Sequence, residues 1–208
     1  MHLPILSGLT LVGPWQTRAE YPPLPETVTS FGAALIEDAL YIYGGHTGRA
    51  HQYYHEGQAK TLWRLNLAEP DAWEALGEGS GLQGLALVAD GGKIYAIGGM
   101  QAEGGPTTRV DIYDPDERQW QQGPSLQGQG MDGFGSAAFA SGDRLYVSTM
   151  HGTLQRLAQD GSAWEIVQEL EHARFFHRML PLSDHRLLMI GGANMAEGKF
   201  EQLEVLVP

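Results

Sequence analysis

The chain has 208 residues, of which 42% are hydrophobic and 18% charged, and its formal net charge at pH 7 is −12. This composition excludes a disordered chain or a coiled coil, and the negative charge, without any local run of Lys or Arg, argues against DNA or RNA as a partner. There is no cysteine, which excludes disulfides, thiolate metal sites and cysteine nucleophiles.

The first segment, "MHLPILSGLTLVGPW", is apolar but has no basic stretch and no small-residue cleavage signal, and Pro4 interrupts it. The segment therefore lacks the pattern of a signal peptide. No stretch of the chain approaches the ~20 apolar residues of a membrane span. We expect no membrane association and a soluble protein, with the cytoplasm slightly favoured as its compartment.

Short strands joined by tight turns are predicted throughout, because 28 glycines and 11 prolines are spread along the whole chain. Four segments can be laid over one another, each with an alternating hydrophobic run followed by a pair of small residues. They are "ALYIYGGHTG" (39–48), "KIYAIGGMQA" (93–102), "RLYVSTMHGT" (144–153) and "RLLMIGGANM" (186–195). A strand-like stretch and a tight turn precede each of them, which predicts a β-hairpin.

A third predicted strand follows each hairpin, and a tryptophan-containing strand comes next in three of the four units, at Trp73, Trp120 and Trp164. The unit is therefore four antiparallel strands, here named a to d from the axis outwards, over about 50 residues. Such sheets stack around an axis as the blades of a propeller. The predicted blades are about 27–78, 83–126, 132–170 and 173–208.

The fourth unit lacks a tryptophan strand, whereas the N-terminal segment carries Trp15 followed by a proline-rich stretch. We therefore expect residues 11–20 to be the outermost strand of the fourth blade and to close the ring by backbone hydrogen bonds. The predicted fold is an all-β propeller of four four-stranded antiparallel blades in a single domain, 1–208.

These motifs resemble the kelch repeat. The resemblance covers residues 13–208 and rests on the paired glycines and on the spacing of Tyr113 and Trp120; the third repeat departs from it, with Thr149 and Met150 in place of the glycines. The repeat residues are Gly44, Gly45, Gly98, Gly99, Gly191, Gly192, Trp15, Trp73, Trp120 and Trp164. Positive φ and close backbone packing explain the glycines, and inter-blade packing explains the tryptophans.

Blade number is the larger departure, because kelch propellers more often have six blades. The alternatives are a four-bladed ring closed within one chain, two chains combined as a strand-exchanged dimer, or a shortened version of a larger parent. We favour the self-closed monomer, because the two ends of the chain complement each other.

Candidate binding residues lie mainly on one face. In an antiparallel blade the b–c loops and the d–a links emerge on the same side, and "HTGRAHQYYHEG" (46–57) is the longest of these loops. The candidates are His46, Arg49, His51, Tyr53, Tyr54, His55, His151, Arg174, His177 and Asn194. The histidines of the long loop could contact a ligand, bind a metal, or simply fold over the neighbouring blade. The first and third readings are favoured over the metal, because neither helix nor complete motif supports a metal site.

Arg174 and His177 are similar to an Arg and a His often found in the first strand of a kelch blade. A structural role, with bonds to neighbouring backbone carbonyls, is favoured for them over ligand contact.

For function, the resemblance implies a scaffold that binds a protein, peptide or carbohydrate through this face. One alternative is a carbohydrate-active enzyme, an isomerase or lyase similar to sialic-acid epimerases; another is a shortened natural or engineered propeller without ligand function. No catalytic residue, metal or cofactor is predicted. The copper site of the galactose oxidase type needs a cysteine that this chain lacks, and the letters of a dinucleotide motif at Gly128, Gly130 and Gly133 precede no helix.

Overall fold

The structure is a computed structural model that describes residues 21–49, 54–103, 105–183 and 185–208. The predicted closing strand at 11–20 with Trp15, and the candidates His51 and Tyr53, lie outside these residues. Within them, every helical segment is a single 3₁₀ turn, and no helix is long and apolar enough to cross a membrane.

The first blade is a sheet of four antiparallel strands paired in chain order. Its strands are β1 (Gly32–Ile36), β2 (Ala39–Tyr43), β3 (Thr61–Asn66) and β4 (Glu74–Glu78). A two-residue turn joins β1 to β2, and Glu37 in this turn has a φ of +51°, as a tight hairpin requires. A 3₁₀ turn, His55–Gly57, lies in the long b–c loop.

The second blade has the same order of strands, and a small extra hairpin extends its b–c loop. The strands in chain order are β5 (Ala86–Asp90), β6 (Lys93–Ile97), the small strands β7 (Met100–Gln101) and β8 (Gly105–Pro106), then β9 (Val110–Asp114) and β10 (Gln119–Gln122).

A 3₁₀ turn at Gly130–Gly133 precedes the third blade, which again has four strands. They are β11 (Ala137–Ser141), β12 (Arg144–Ser148), β13 (Thr153–Leu157) and β14 (Trp164–Glu169).

The described part of the fourth blade has three strands in its main sheet and a small hairpin in its b–c loop. The strands are β15 (Arg178–Pro181), β16 (Leu187–Ile190), the small strands β17 (Ala193–Asn194) and β18 (Gly198–Lys199), and β19 (Glu204–Leu206). β19 is the outer strand of this sheet among the described residues.

The core lies between successive blades, because each sheet covers its neighbour with apolar side chains. Tyr43 and Ile94 belong to the cluster between the first two blades, Val88 and Val147 to the next, and residues of β11 and β16 to the last. Two of the predicted tryptophans take part: Trp120 packs 4.8 Å from Tyr43, between ring centroids, and Trp164 is 2% exposed. Trp73 is partly exposed and belongs to none of these three clusters.

A chain of backbone hydrogen bonds joins the innermost strands around the axis, and we call it the inner ladder. The N–H of Gly84 donates to the carbonyl of Ser30 (2.8 Å), that of Gly135 to Gly84 (2.9 Å) and that of Phe176 to Gly135 (2.8 Å). All four residues have positive φ, between 53° and 62°. Each of the first three blades is thus joined to the next at the same position, two residues before the innermost strand.

Paired glycines make the second inter-blade contact. The N–H of Gly45 donates to the carbonyl of Leu82, and that of Gly99 to the carbonyl of Gly133 (2.7 Å). A Cβ atom on Gly98 would lie 2.2 Å from the carbonyl oxygen of Gly133, so the neighbouring backbone leaves no room for a side chain. Four antiparallel sheets in a ring therefore form a four-bladed β-propeller, as the sequence predicted.

Candidate functional site

The b–c loops and d–a links lie beside one another at one end of the propeller. Isolated β-bridges pair the residue just after a small pair with a residue that precedes an innermost strand: His46 with Thr29, Met100 with Gln83, and Ala193 with Phe175. We call this end the loop face; it is formed by the described residues of 44–60, 98–109, 149–152 and 191–202 and of the links 79–85, 123–136 and 170–177.

His46 is buried at the base of the long loop. Its Nδ1 accepts a hydrogen bond from the N–H of Gly48 (2.9 Å), and its ring meets the ring of Tyr54 edge-on, with centroids 4.9 Å apart. Gly57 lies directly against the His46 ring, and any side chain at this position would clash, since a Cβ atom would come within 2.3 Å of Nε2. His46 thus supports Tyr54, which is 45% exposed on the loop face.

Contacts between the first two blades fix this part of the loop face. The side-chain amide of Gln58 donates to the carbonyl of Met100 (3.0 Å). His55 lies 3.3 Å from the ammonium of Lys60 and 4.0 Å from Glu103, whose side chain is 87% exposed. Arg49 is exposed in the same loop. The exposed side chains in this part of the loop face therefore lie next to a buried contact between the two blades.

Between the second and third blades, His151 is paired with a buried carboxylate. Its Nδ1 lies 2.9 Å from Oδ1 of Asp132, while its own side chain is 59% exposed. Asp132 is 7% exposed, and its Oδ2 accepts a hydrogen bond from the N–H of Gln129 (2.9 Å). Sequence reasoning missed Asp132; its signal was the capping box of the 3₁₀ turn, Gln129 followed three residues later by Asp.

Arg174 is buried inside the fourth blade. It donates to the carbonyls of Gly191 (3.1 Å) and Gln202 (3.4 Å), forms an ion pair with Glu204 (3.0 Å), and stacks on the ring of Phe200 with its guanidinium carbon 4.4 Å from the centroid. Contacts with backbone carbonyls are those expected if Arg174 has a structural role. They hold the chain that leads from the b–c loop into β19.

His177 lies buried between the third and fourth blades, with Nε2 hydrogen-bonded to the hydroxyl of Ser148. Burial, together with the positive charges of Arg174 and Arg178, lowers the pKa of His177 to about 4. His177 is therefore neutral at physiological pH.

Asn194 shapes the b–c loop of the fourth blade. Its amide nitrogen donates to the carbonyl of Ala173 (3.0 Å) and to the carboxylate of Glu197 (2.9 Å), and its oxygen accepts from the N–H of Ala196. Glu197 also lies 3.6 Å from His172. Asn194 thus joins the small β17–β18 hairpin to the preceding link.

The structure separates the candidates into two sets. Tyr54, His55, His151 and Arg49 are exposed on the loop face and Asn194 is partly exposed there, whereas His46, Arg174 and His177 are buried below its surface or between blades. Among the described residues, no three His, Asp or Glu side chains come together in a way that could hold a metal ion.

Comparison with known proteins agrees with the repeat. A family model described as the kelch motif matches residues 82–127. The chain is 29% identical over 164 residues to the N-acetylneuraminate epimerase of Pasteurella multocida (strain Pm70), a match that covers 75% of this chain and 40% of that protein.

Two animal proteins are also similar. The Kelch repeat and BTB domain-containing protein 12 of Danio rerio is 29% identical over 123 residues, covering 55% of this chain and 19% of that protein. Kelch-like protein 23 of Mus musculus is 24% identical over 193 residues, covering 88% and 32%. In each case the chain spans less than half of the relative's length.

A ring of four antiparallel sheets with a repeated glycine pair defines a repeat protein of the β-propeller class. Residues 82–127 match the kelch motif, and the chain is similar to proteins that carry kelch repeats.

Proposed function

We propose that this propeller is a binding scaffold that takes a partner protein on its loop face. The observation that carries the proposal is the arrangement of Tyr54 and His151: both are exposed, and each is held by a buried side chain, His46 and Asp132 respectively. Exposed polar and aromatic groups on a rigid base are suited to a macromolecular partner, because little conformational entropy is lost when they bind. Relatives that carry kelch repeats support the same class of function.

The geometry favours binding over catalysis. An active site at the channel mouth would need His46, Arg174 and His177 in an open pocket with a carboxylate in reach. Instead these three side chains are buried, and Arg174 has carbonyl and carboxylate partners within the fourth blade. A carbohydrate-active enzyme therefore has less support than a scaffold, and peptides and proteins are the preferred ligands.

Site-specific photo-crosslinking in cells that express the protein tests this proposal. A crosslinking amino acid replaces Tyr54 or His151 on the loop face, and Asp116 or Asp143 in the turns at the other end provides the matched control. We expect a discrete crosslinked protein from the first pair of positions and none from the second. Crosslinks from the turn positions alone, or from no position, would contradict the proposal.

A further inference from the structure

His151 and His55 are both exposed histidines of the loop face, but their surroundings differ. The partner of His151 is a buried carboxylate at 2.9 Å, whereas His55 lies 4.0 Å from the exposed carboxylate of Glu103. An imidazole beside a fixed carboxylate has its orientation set before any partner arrives, as it has in many sites where a histidine works through one nitrogen.

The position of Asp132 is fixed from several sides. Its Oδ2 accepts from the N–H of Gln129, its own N–H donates to the carbonyl of Gln129 (2.8 Å), and its carbonyl accepts from Met150 (3.4 Å), the residue before His151. The carboxylate therefore cannot turn away from His151 without breaking the 3₁₀ turn.

The pairing also fixes which ring nitrogen carries the proton. A carboxylate only accepts hydrogen bonds, so Nδ1 of His151 must be the protonated nitrogen, and Nε2 of the neutral ring is then left with its lone pair. The loop face thus presents a hydrogen-bond acceptor at this point.

We propose that Asp132 is a positioning residue that fixes His151 as a hydrogen-bond acceptor on the loop face, and that the partner group is a cationic donor, the side chain of a lysine or arginine. The inference rests on the proposed function and specifies its chemistry. The negative charge of Asp132 lies behind the acceptor, and the whole chain carries −12. A positively charged donor gains from both, because hydrogen bonds between charged groups are the stronger ones.

The loop face carries charges of both signs. Exposed carboxylates there include Glu103, Glu171 and Glu197, opposed by Lys60, Lys199 and Arg49. Lys60 already lies beside His55, and Glu197 beside His172. The acceptor at His151 therefore lies on a surface that does not repel a basic segment.

The tautomer is measured first, by ¹⁵N NMR of the histidine ring nitrogens in the full chain. We expect the proton of His151 on Nδ1 in the wild type. In Asp132→Asn the amide oxygen can still accept from Gln129, but the amide nitrogen must donate to Nδ1, so the proton moves to Nε2. His55 serves as the internal control and keeps its tautomer. A wild-type His151 protonated at Nε2, or a tautomer unchanged in Asp132→Asn, would overturn the inference.

The partner chemistry is measured next, by titration of the same protein with the peptide acetyl-Gly-Lys-Gly-amide. The shift of Nε2 of His151 reports binding, and a peptide with norleucine in place of lysine lacks the ammonium group. We expect binding of the lysine peptide to weaken about tenfold in Asp132→Asn, which corresponds to the loss of one hydrogen bond to a charged group, and to stay unchanged in Asp116→Asn, in a turn at the other end of the propeller. Equal affinity in wild type and Asp132→Asn, or equal binding of the two peptides, rejects a cationic partner.

These results are separate from the crosslinking test. Crosslinks at the loop face with a failed peptide titration would leave the scaffold standing and remove only the basic partner.

Discussion

At the scale of single residues, burial decides the chemistry of His177. Its pKa is lowered to about 4 by burial and by Arg174 and Arg178, against 6.5 for a free histidine. At this group the folded chain then binds fewer protons than the unfolded chain between these two values, so the effect of His177 on stability is constant above about pH 6.5 and lowers stability as the pH drops towards 4. The loss reaches roughly 3 kcal/mol, since one pKa unit is about 1.4 kcal/mol.

We therefore predict that His177→Gln flattens the dependence of unfolding free energy on pH between 4.5 and 7, measured by urea denaturation. His55→Gln, at an exposed position, should keep the wild-type slope. Direct titration of His177 by NMR in the wild type checks the same point without a substitution. A midpoint near 6.5 would show that burial does not control this group.

Single residues also mark the limit of prediction from the sequence. The pattern placed the loop histidines on one face, but it did not separate buried His46 from exposed His55, because that difference depends on Gly48 and Gly57 packing around one ring. The pairing of Asp132 with His151 was not predicted either. Asp132 lies in the link that leads into β11 and His151 in the loop after β12, and no local sequence pattern shows that the β11–β12 hairpin brings these two side chains together.

At the scale of elements, the hairpins and their turns were predictable, since alternating hydrophobic runs and glycine pairs are local signals. The small hairpins β7–β8 and β17–β18 were not, because strands of two residues leave no periodicity to detect.

The glycine pairs offer a test in which the chain supplies its own control. Gly98 and Gly191 occupy the same repeat position and both have a φ of +64°.

Alanine at either glycine has to adopt a left-handed backbone, which costs about 1–2 kcal/mol. At Gly98 the new Cβ meets the next blade, 2.2 Å from the carbonyl oxygen of Gly133, whereas no atom of the described residues lies within 4 Å of a Cβ at Gly191. We predict that Gly98→Ala lowers the free energy of unfolding by about 1–3 kcal/mol more than Gly191→Ala does. Equal losses in chemical denaturation would mean that backbone conformation alone selects these glycines.

At the scale of the whole molecule, a repeated contact supports the predicted role of the N-terminal segment. The indole N–H of Trp164 donates to the carbonyl of Pro124 (2.9 Å), and that of Trp73 donates in the same way to Pro22 (3.2 Å). Residues before the first blade thus take the place of a d–a link. This favours a blade strand just before them, and we retain residues 11–20 beside β19 as a proposal.

Deletion of residues 1–20 should then expose the outer edge of β19. We predict faster amide hydrogen exchange at Glu204–Leu206 and a lower melting temperature, whereas a Gly/Ser segment of equal length in place of residues 1–20 should behave like the deletion. The mass in solution distinguishes closure within one chain from strand exchange between two. Unchanged exchange at β19 in the deletion variant would refute the pairing.

The inner ladder from Ser30 through Gly84 and Gly135 to Phe176 uses main-chain atoms alone. The relative position of neighbouring blades therefore does not depend on the side chains of their connecting loops. This explains how a long histidine-rich connection in the first blade and a four-residue one in the third, Thr149 to Gly152, can coexist on the same frame. The connecting loops of the loop face can therefore change in sequence and length while the main-chain contacts between the blades stay the same.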